Sequence, residues 1–196
     1  MMILQLKQID LPVNVIVTSD HGMNEVANTE ESLINVDKVL EGINKADYRF
    51  VNSGTLAHIY INDHSKIDQI YKAIKEKEKN FNVFKKEDFP KNWNYQNSRS
   101  GEMILVANAG HSLSSKSNRE RMIARGGVHG EHGFDPYVTE DMATIFYAKG
   151  PNIKPNTKLP KFENIHVYPF VAHILGINEL PKIDGKLEVL KSAYIK

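Results

Sequence analysis

The chain has 196 residues, of which 41% are hydrophobic and 25% charged, a size and balance that suit one folded globular domain and exclude a disordered chain. A formal net charge of +1, with no dense Lys/Arg run, excludes a strongly basic nucleic-acid-binding surface. The absence of cysteine excludes disulfides, Cys-ligated zinc and a cysteine nucleophile.

No apolar run is long enough for a transmembrane helix. The opening Met1-Met2-Ile3-Leu4-Gln5-Leu6-Lys7 is too short and polar for a signal peptide. Residues 13–18, Val-Asn-Val-Ile-Val-Thr, read as a strand buried on both faces, as in a parallel sheet. The strand runs into a turn at Ser19-Asp20-His21-Gly22-Met23. Leu33, Val36, Leu40 and Ile43 fall at helical spacing, which predicts a helix over 32–43. Residues 55–62 read as a strand. Ser65 then stands as an N-cap, with Asp68 in capping-box position. Ile67, Ile70, Tyr71 and Ile74 predict an amphipathic helix over 66–79.

Residues 80–101 are loop-rich and aromatic, with Phe84, Phe89, Trp93 and Tyr95 expected to pack beneath a loop. Residues 103–107, Met-Ile-Leu-Val-Ala, form another short buried-type strand. Residues 110–133 carry Gly, Ser, Arg and His without a clear period, and read as a long loop, functional or mobile. A strand at 143–148 stops at Gly150-Pro151. A helix over 165–175 closes at Gly176 as its C′ residue. Strands alternating with helices indicate an α/β layered fold. No linker is visible, so residues 1–196 read as a single domain.

Two clusters carry chemistry. Asp20 and His21 leave the carboxyl end of a buried strand together, where open α/β sheets bind ligands. Carboxylate oxygen and imidazole nitrogen are both ligands for a divalent metal such as zinc, and Gly22 lets the backbone turn sharply behind them. Locally, Asp20 suits a polar turn with a helix N-cap equally well. The second cluster is Gly127-Val-His129-Gly-Glu-His132-Gly-Phe-Asp135. Its two histidines between glycines suit a metal-approaching loop, or a flexible loop with titrating surface histidines. His58, His64, His166 and His173 read as packed or surface residues, and His111 is open to either reading.

Val-Ile-Val-Thr-Ser-Asp-His-Gly-Met (15–23) resembles the strand-plus-ligand motif of the nucleotide pyrophosphatase/phosphodiesterase family (type I phosphodiesterases), within the alkaline phosphatase superfamily. The resemblance continues in order through Phe84-Lys-Lys-Glu-Asp-Phe-Pro90 with Trp93-Asn-Tyr95, and through Ile104-Leu-Val-Ala107. It then takes in His132-Gly-Phe-Asp135, Asp141-Met-Ala-Thr-Ile-Phe-Tyr-Ala-Lys-Gly-Pro151, and Phe162 to Ile177. It covers nearly all of residues 5–180.

The resemblance implies part of an alkaline-phosphatase-like, doubly wound α/β sheet with helices on both faces. It implies zinc-dependent hydrolysis of phosphodiester or pyrophosphate bonds in nucleotides and related esters, through a covalent Thr or Ser intermediate and two zinc ions. Asp20 and His21 match ligands of the zinc that also holds the nucleophile, and His132 matches a ligand of the other. His132 is preferred to His129 because Phe134-Asp135 follows it. The family's nucleophile and further ligands precede the Ser-Asp-His-Gly-Met motif. Ser112, Ser114 and Ser115 match no family motif, so no catalytic nucleophile is assigned. The chain therefore reads as the C-terminal portion of the catalytic domain, with residues 3–9 as the tail of a helix and the N-terminal half as a partner. An inactive remnant, or another superfamily phosphoester or phosphonate hydrolase, are the competing readings. The complete family protein is expected in the periplasm or outside the cell.

Overall fold

The computed structural model describes residues 11–177 and 179–196; the helix tail expected at residues 3–9 lies outside them. Contacts divide the chain into two compact units, one formed by the residues up to Asp20 with Thr144–Lys196, the other by His21–Ala143.

In the first unit, β1 (Val15–Thr18) pairs antiparallel with β10 (Phe146–Lys149), with Ile16 opposite Ala148 and Val17 opposite Tyr147. Side chains alternate across a strand, so Ile16, Phe146 and Ala148 share one face. That face packs on a core of Ile153, Phe170, Leu190 and Ala193. Phe170 comes from α4 (Val167–Ile174) and is fully buried. The other face leaves Val17 and Tyr147 exposed. This corrects the expectation of a parallel strand buried on both faces: the apolar run of β1 faces the core on one side only. The expected stop at Gly150-Pro151 follows β10, and Gly176 closes α4 at φ +72°.

The second unit centres on an antiparallel sheet whose strands lie in the order Arg49–Asn52, Leu56–Tyr60, Met103–Ala107, Phe81–Lys85. Its strands are β4 (Arg49–Asn52), β5 (Leu56–Tyr60), β6 (Phe81–Lys85) and β7 (Met103–Ala107). All five residues of β7 are buried because both faces of the sheet are covered. Met103, Leu105 and Ala107 enter the main core, where α2 (Ile67–Lys75) lays down Ile70 and Ile74. Ile104 and Val106 face the aromatic loop, against Phe84, Phe89, Trp93 and Tyr95. The loop expected at 80–101 thus begins with a strand.

Three smaller pieces complete this unit. β2 (Asn24–Ala27) pairs antiparallel with β9 (Val128–Glu131), and β3 (Leu33–Asn35) pairs parallel with β8 (Ser112–Ser114). Helix α3 (Lys116–Arg125) follows β8. The long loop expected at 110–133 is therefore strand, helix, strand. The helix expected over 32–43 is strand β3 followed by the single turn α1 (Val36–Val39). Asn35 accounts for the break. Its side chain accepts from the backbone N–H groups of Asp37 and Lys38, which starts a helix there rather than three residues earlier. Likewise Asp63, not Ser65, caps the turn leading into α2, accepting from Ser65 N–H at 3.1 Å. α2 ends at Lys75 rather than 79.

Candidate functional site

The turn after β1 is held by its own unit. Ser19 N–H donates to the Ile145 carbonyl at 3.4 Å, and the Ser19 carbonyl accepts from Asn164 Nδ2 at 3.4 Å. Asp20 is exposed and its Oδ1 accepts from Ser19 Oγ at 3.4 Å. It offers a carboxylate at the end of a strand, not a helix N-cap.

His21 opens the second unit. Its Nδ1 lies 2.8 Å from the Gly22 carbonyl oxygen. A carbonyl only accepts, so Nδ1 carries a proton, and in the neutral ring the lone pair is on Nε2. This is the tautomer found in metal-ligating histidines whose other nitrogen donates to backbone. Gly22 N–H in turn donates to the Met142 carbonyl at 3.1 Å. A Cβ at residue 22 would stand 1.8 Å from the Asp141 carbonyl oxygen, so only glycine fits there.

His132 comes from the segment after β9. Its ring lies on that of His21, with centroids 3.8 Å apart and planes 12° from parallel. A lone pair lies in the plane of its ring. Two near-parallel rings at this spacing cannot both aim at one ion. The donor types fit zinc. The number of donors does not complete a site: among the described residues no group of three or more His, Cys, Asp or Glu stands ready to hold a metal ion.

Of the other histidines, four are engaged elsewhere. His129 Nε2 is 3.3 Å from Glu131 Oε1, with Nδ1 buried and without a hydrogen-bond partner. His58 Nδ1 accepts from Gly101 N–H at 3.2 Å and Nε2 lies 3.1 Å from Tyr95 Oη; burial holds its pKa below the usual imidazole range. His166 Nδ1 accepts from Lys186 N–H, and His173 packs edge-on to Tyr194. The loop serines have structural partners. Ser112 Oγ donates to Glu131 Oε1 at 3.2 Å, Ser114 Oγ accepts from Asn118 Nδ2, and Ser115 caps α3. A groove of about 460 Å³ near Leu33 and Phe81 contains neither His21 nor His132. Its Lys77 and Arg119 donate to backbone carbonyls.

Sequence reasoning missed Thr55 and Glu131, which hold the His132 segment. Thr55 Oγ1 donates to the His132 carbonyl at 2.7 Å. The only signal was their adjacency to Gly54 and His132, which carries no chemistry by itself.

The sequence model of the type I phosphodiesterase / nucleotide pyrophosphatase family matches residues 1–135. Human ectonucleotide pyrophosphatase/phosphodiesterase family member 5 is 35% identical over 171 residues, covering 86% of this chain and 33% of that protein. The human bis(5'-adenosyl)-triphosphatase ENPP4 is 30% identical, covering 86% of this chain and 34% of that protein. The solved structure of human ENPP5 superposes with a TM-score of 0.80 at 29% identity, over 100% of this chain and 49% of that one. Murine ENPP5, solved as an inactive threonine-to-alanine variant in complex with AMP, gives 0.79 at 27% identity, over 99% of this chain and 48% of that one. The chain thus spans about a third of these curated relatives and about half of the solved chains. The expected α/β fold of this family is borne out by the superposition.

Proposed function

The chain belongs to the type I phosphodiesterase / nucleotide pyrophosphatase family, and from that membership we propose that it is the C-terminal portion of a zinc-dependent hydrolase of phosphodiester or pyrophosphate bonds in nucleotides. The observation that carries the reading is the stack of His132 on His21 at 3.8 Å. Asp20 and His21 would hold one zinc and His132 the other. Bound zinc supplies Lewis-acid stabilisation of phosphoryl oxygens and lowers the pKa of an oxygen nucleophile.

This chain's own contribution is to orient the ligands. The Gly22 carbonyl fixes the His21 tautomer, and the ring stack sets the two imidazoles side by side. The nucleophile is a Thr or Ser outside the matched part, a reading supported by the inactivity of the murine relative's threonine-to-alanine variant. The remaining half of the family fold is the partner that completes both metal sites. The substrate is a nucleotide ester, and the complete protein acts outside the cytoplasm. An inactive remnant of such an enzyme is the second reading, because the same incomplete ligand set among the described residues fits it as well.

The experiment is hydrolysis of a nitrophenyl nucleotide ester, with zinc, by this chain and by a version extended with the half that the solved relatives carry. The chain alone should be silent. The extended protein should turn over, lose turnover to a chelator, and lose it on Asp20→Ala or His132→Ala. A silent extended protein, loaded with zinc and folded, would establish the remnant reading instead.

A further inference from the structure

The hairpin tip between β4 and β5 sits against the segment that carries His132. Thr55, at this tip, is 1% exposed, and its hydroxyl donates to the His132 carbonyl at 2.7 Å. The tip itself is tied to three other places. The Thr55 carbonyl accepts from Ala107 N–H of β7 at 2.8 Å, and the Gly54 carbonyl accepts from Leu113 N–H of β8 at 2.6 Å. Gly54 N–H donates to Asn52 Oδ1, and Asn52 Nδ2 donates to the Leu113 carbonyl. The hydroxyl is therefore mounted on backbone that several strands hold in place.

The loop rests directly on it. A Cβ at Gly133 would stand 2.7 Å from Thr55 Oγ1, and Gly133 has φ +93°. On the other flank, the Glu131 carboxylate lies over Gly54, where a Cβ would meet its oxygens at 3.2 and 3.3 Å. Glu131 Oε1 accepts from the buried Ser112 hydroxyl. His132 thus hangs between two anchors, and only that at Thr55 touches its own peptide group.

We propose that Thr55 is a positioning residue, whose hydroxyl fixes the His132 main chain so that its imidazole lies on His21. The consequence for catalysis rests on the functional reading above. The positioning itself can be measured without metal or turnover.

The test uses two variants of the metal-free chain. Thr55→Val keeps the shape and removes the donor; Thr55→Ser keeps the donor. Stacked aromatic rings displace each other's ring-proton resonances, so the Hδ2 and Hε1 signals of His21 and His132 report the stack. In the wild type and Thr55→Ser these signals should be displaced from those of exposed His64. In Thr55→Val they should return toward them, while the far-ultraviolet circular dichroism and a cooperative melt persist. A folded Thr55→Val chain with unchanged His21 and His132 signals would overturn the proposal. Should Thr55→Val fail to fold, Gly133→Ala decides, because it crowds the same hydroxyl from the loop side. It should collapse the same ring displacement, and a retained stack would overturn the proposal. Zinc ion added to the folded Thr55→Val chain should bind about tenfold or more weakly than to the wild type. Zinc that leaves both wild-type rings untouched would contradict the functional reading and leave the ring-stack result standing.

Discussion

His21 and His132 lie ring on ring at 3.8 Å, although one follows the first strand and the other the ninth. The contact needs two backbone devices. Gly22 lets its peptide press against Asp141 and Ala143, and Thr55 holds the His132 carbonyl. Each device gives a measurable consequence.

Gly22→Ala places a methyl group 1.8 Å from the Asp141 carbonyl oxygen, with the Ala143 carbonyl oxygen at 2.6 Å. Backbone must move to admit it. The expected loss is about 3 kcal/mol of stability by urea denaturation, together with loss of the His21–His132 ring displacement. An unchanged midpoint would show that the turn at Gly22 is looser than its contacts indicate.

Leu105→Ala empties a fully buried position at the centre of β7. Removal of the side chain loses its burial and leaves a cavity, at a cost of about 2–5 kcal/mol. Thermal or urea unfolding checks it. A cost below 1 kcal/mol would mean that the two-sided cover of β7 collapses easily into the space.

Asp63→Ala should lower the urea unfolding midpoint, because the carboxylate accepts from both Ser65 N–H at 3.1 Å and Ser65 Oγ at 2.6 Å. These hydrogen bonds hold the Asp63 pKa below its ordinary value. Ser65→Ala removes one of the two and should cost less. The reverse order of effects would return the cap to Ser65.

This order of effects bears on what the sequence made legible. The helical period of Ile67, Ile70, Tyr71 and Ile74 located α2, because a strong apolar stripe faces one core. The cap lies two residues before the expected Ser65, because Asp63 and Ser65 are both good capping residues and only geometry separates them. α3 was invisible for a different reason. None of its residues is fully buried, and only Met122 and Ile123 pack on the core, so no period marks it. The two-sided burial read for residues 103–107 holds in β7. The same pattern misled at β1, whose outer face stays open in its unit. Motif resemblance picked out His21 and His132, which a local reading left undecided. Thr55 was out of reach, since its role exists only once the hairpin tip meets the His132 carbonyl.

His58 gives a pH dependence. Burial holds its folded-state pKa below the ordinary value, so the unfolded chain takes up the proton first as pH falls. The neutral ring's contribution is fully present above about pH 6.5 and is lost as pH falls below it. Urea unfolding at pH 7.5 and 5.5 should show lower stability at 5.5, with a smaller drop in His58→Gln. An equal drop in the variant would assign the acid sensitivity to other groups.

Zinc titration of the chain, followed through its histidine ring resonances, asks whether the stacked pair binds metal. His21 and His132 should respond first and together, with Asp20→Ala weakening the response at His21, while His58 and His166 stay unmoved. Zinc that engages other histidines, or leaves both stacked rings unchanged, would contradict metal binding at the pair.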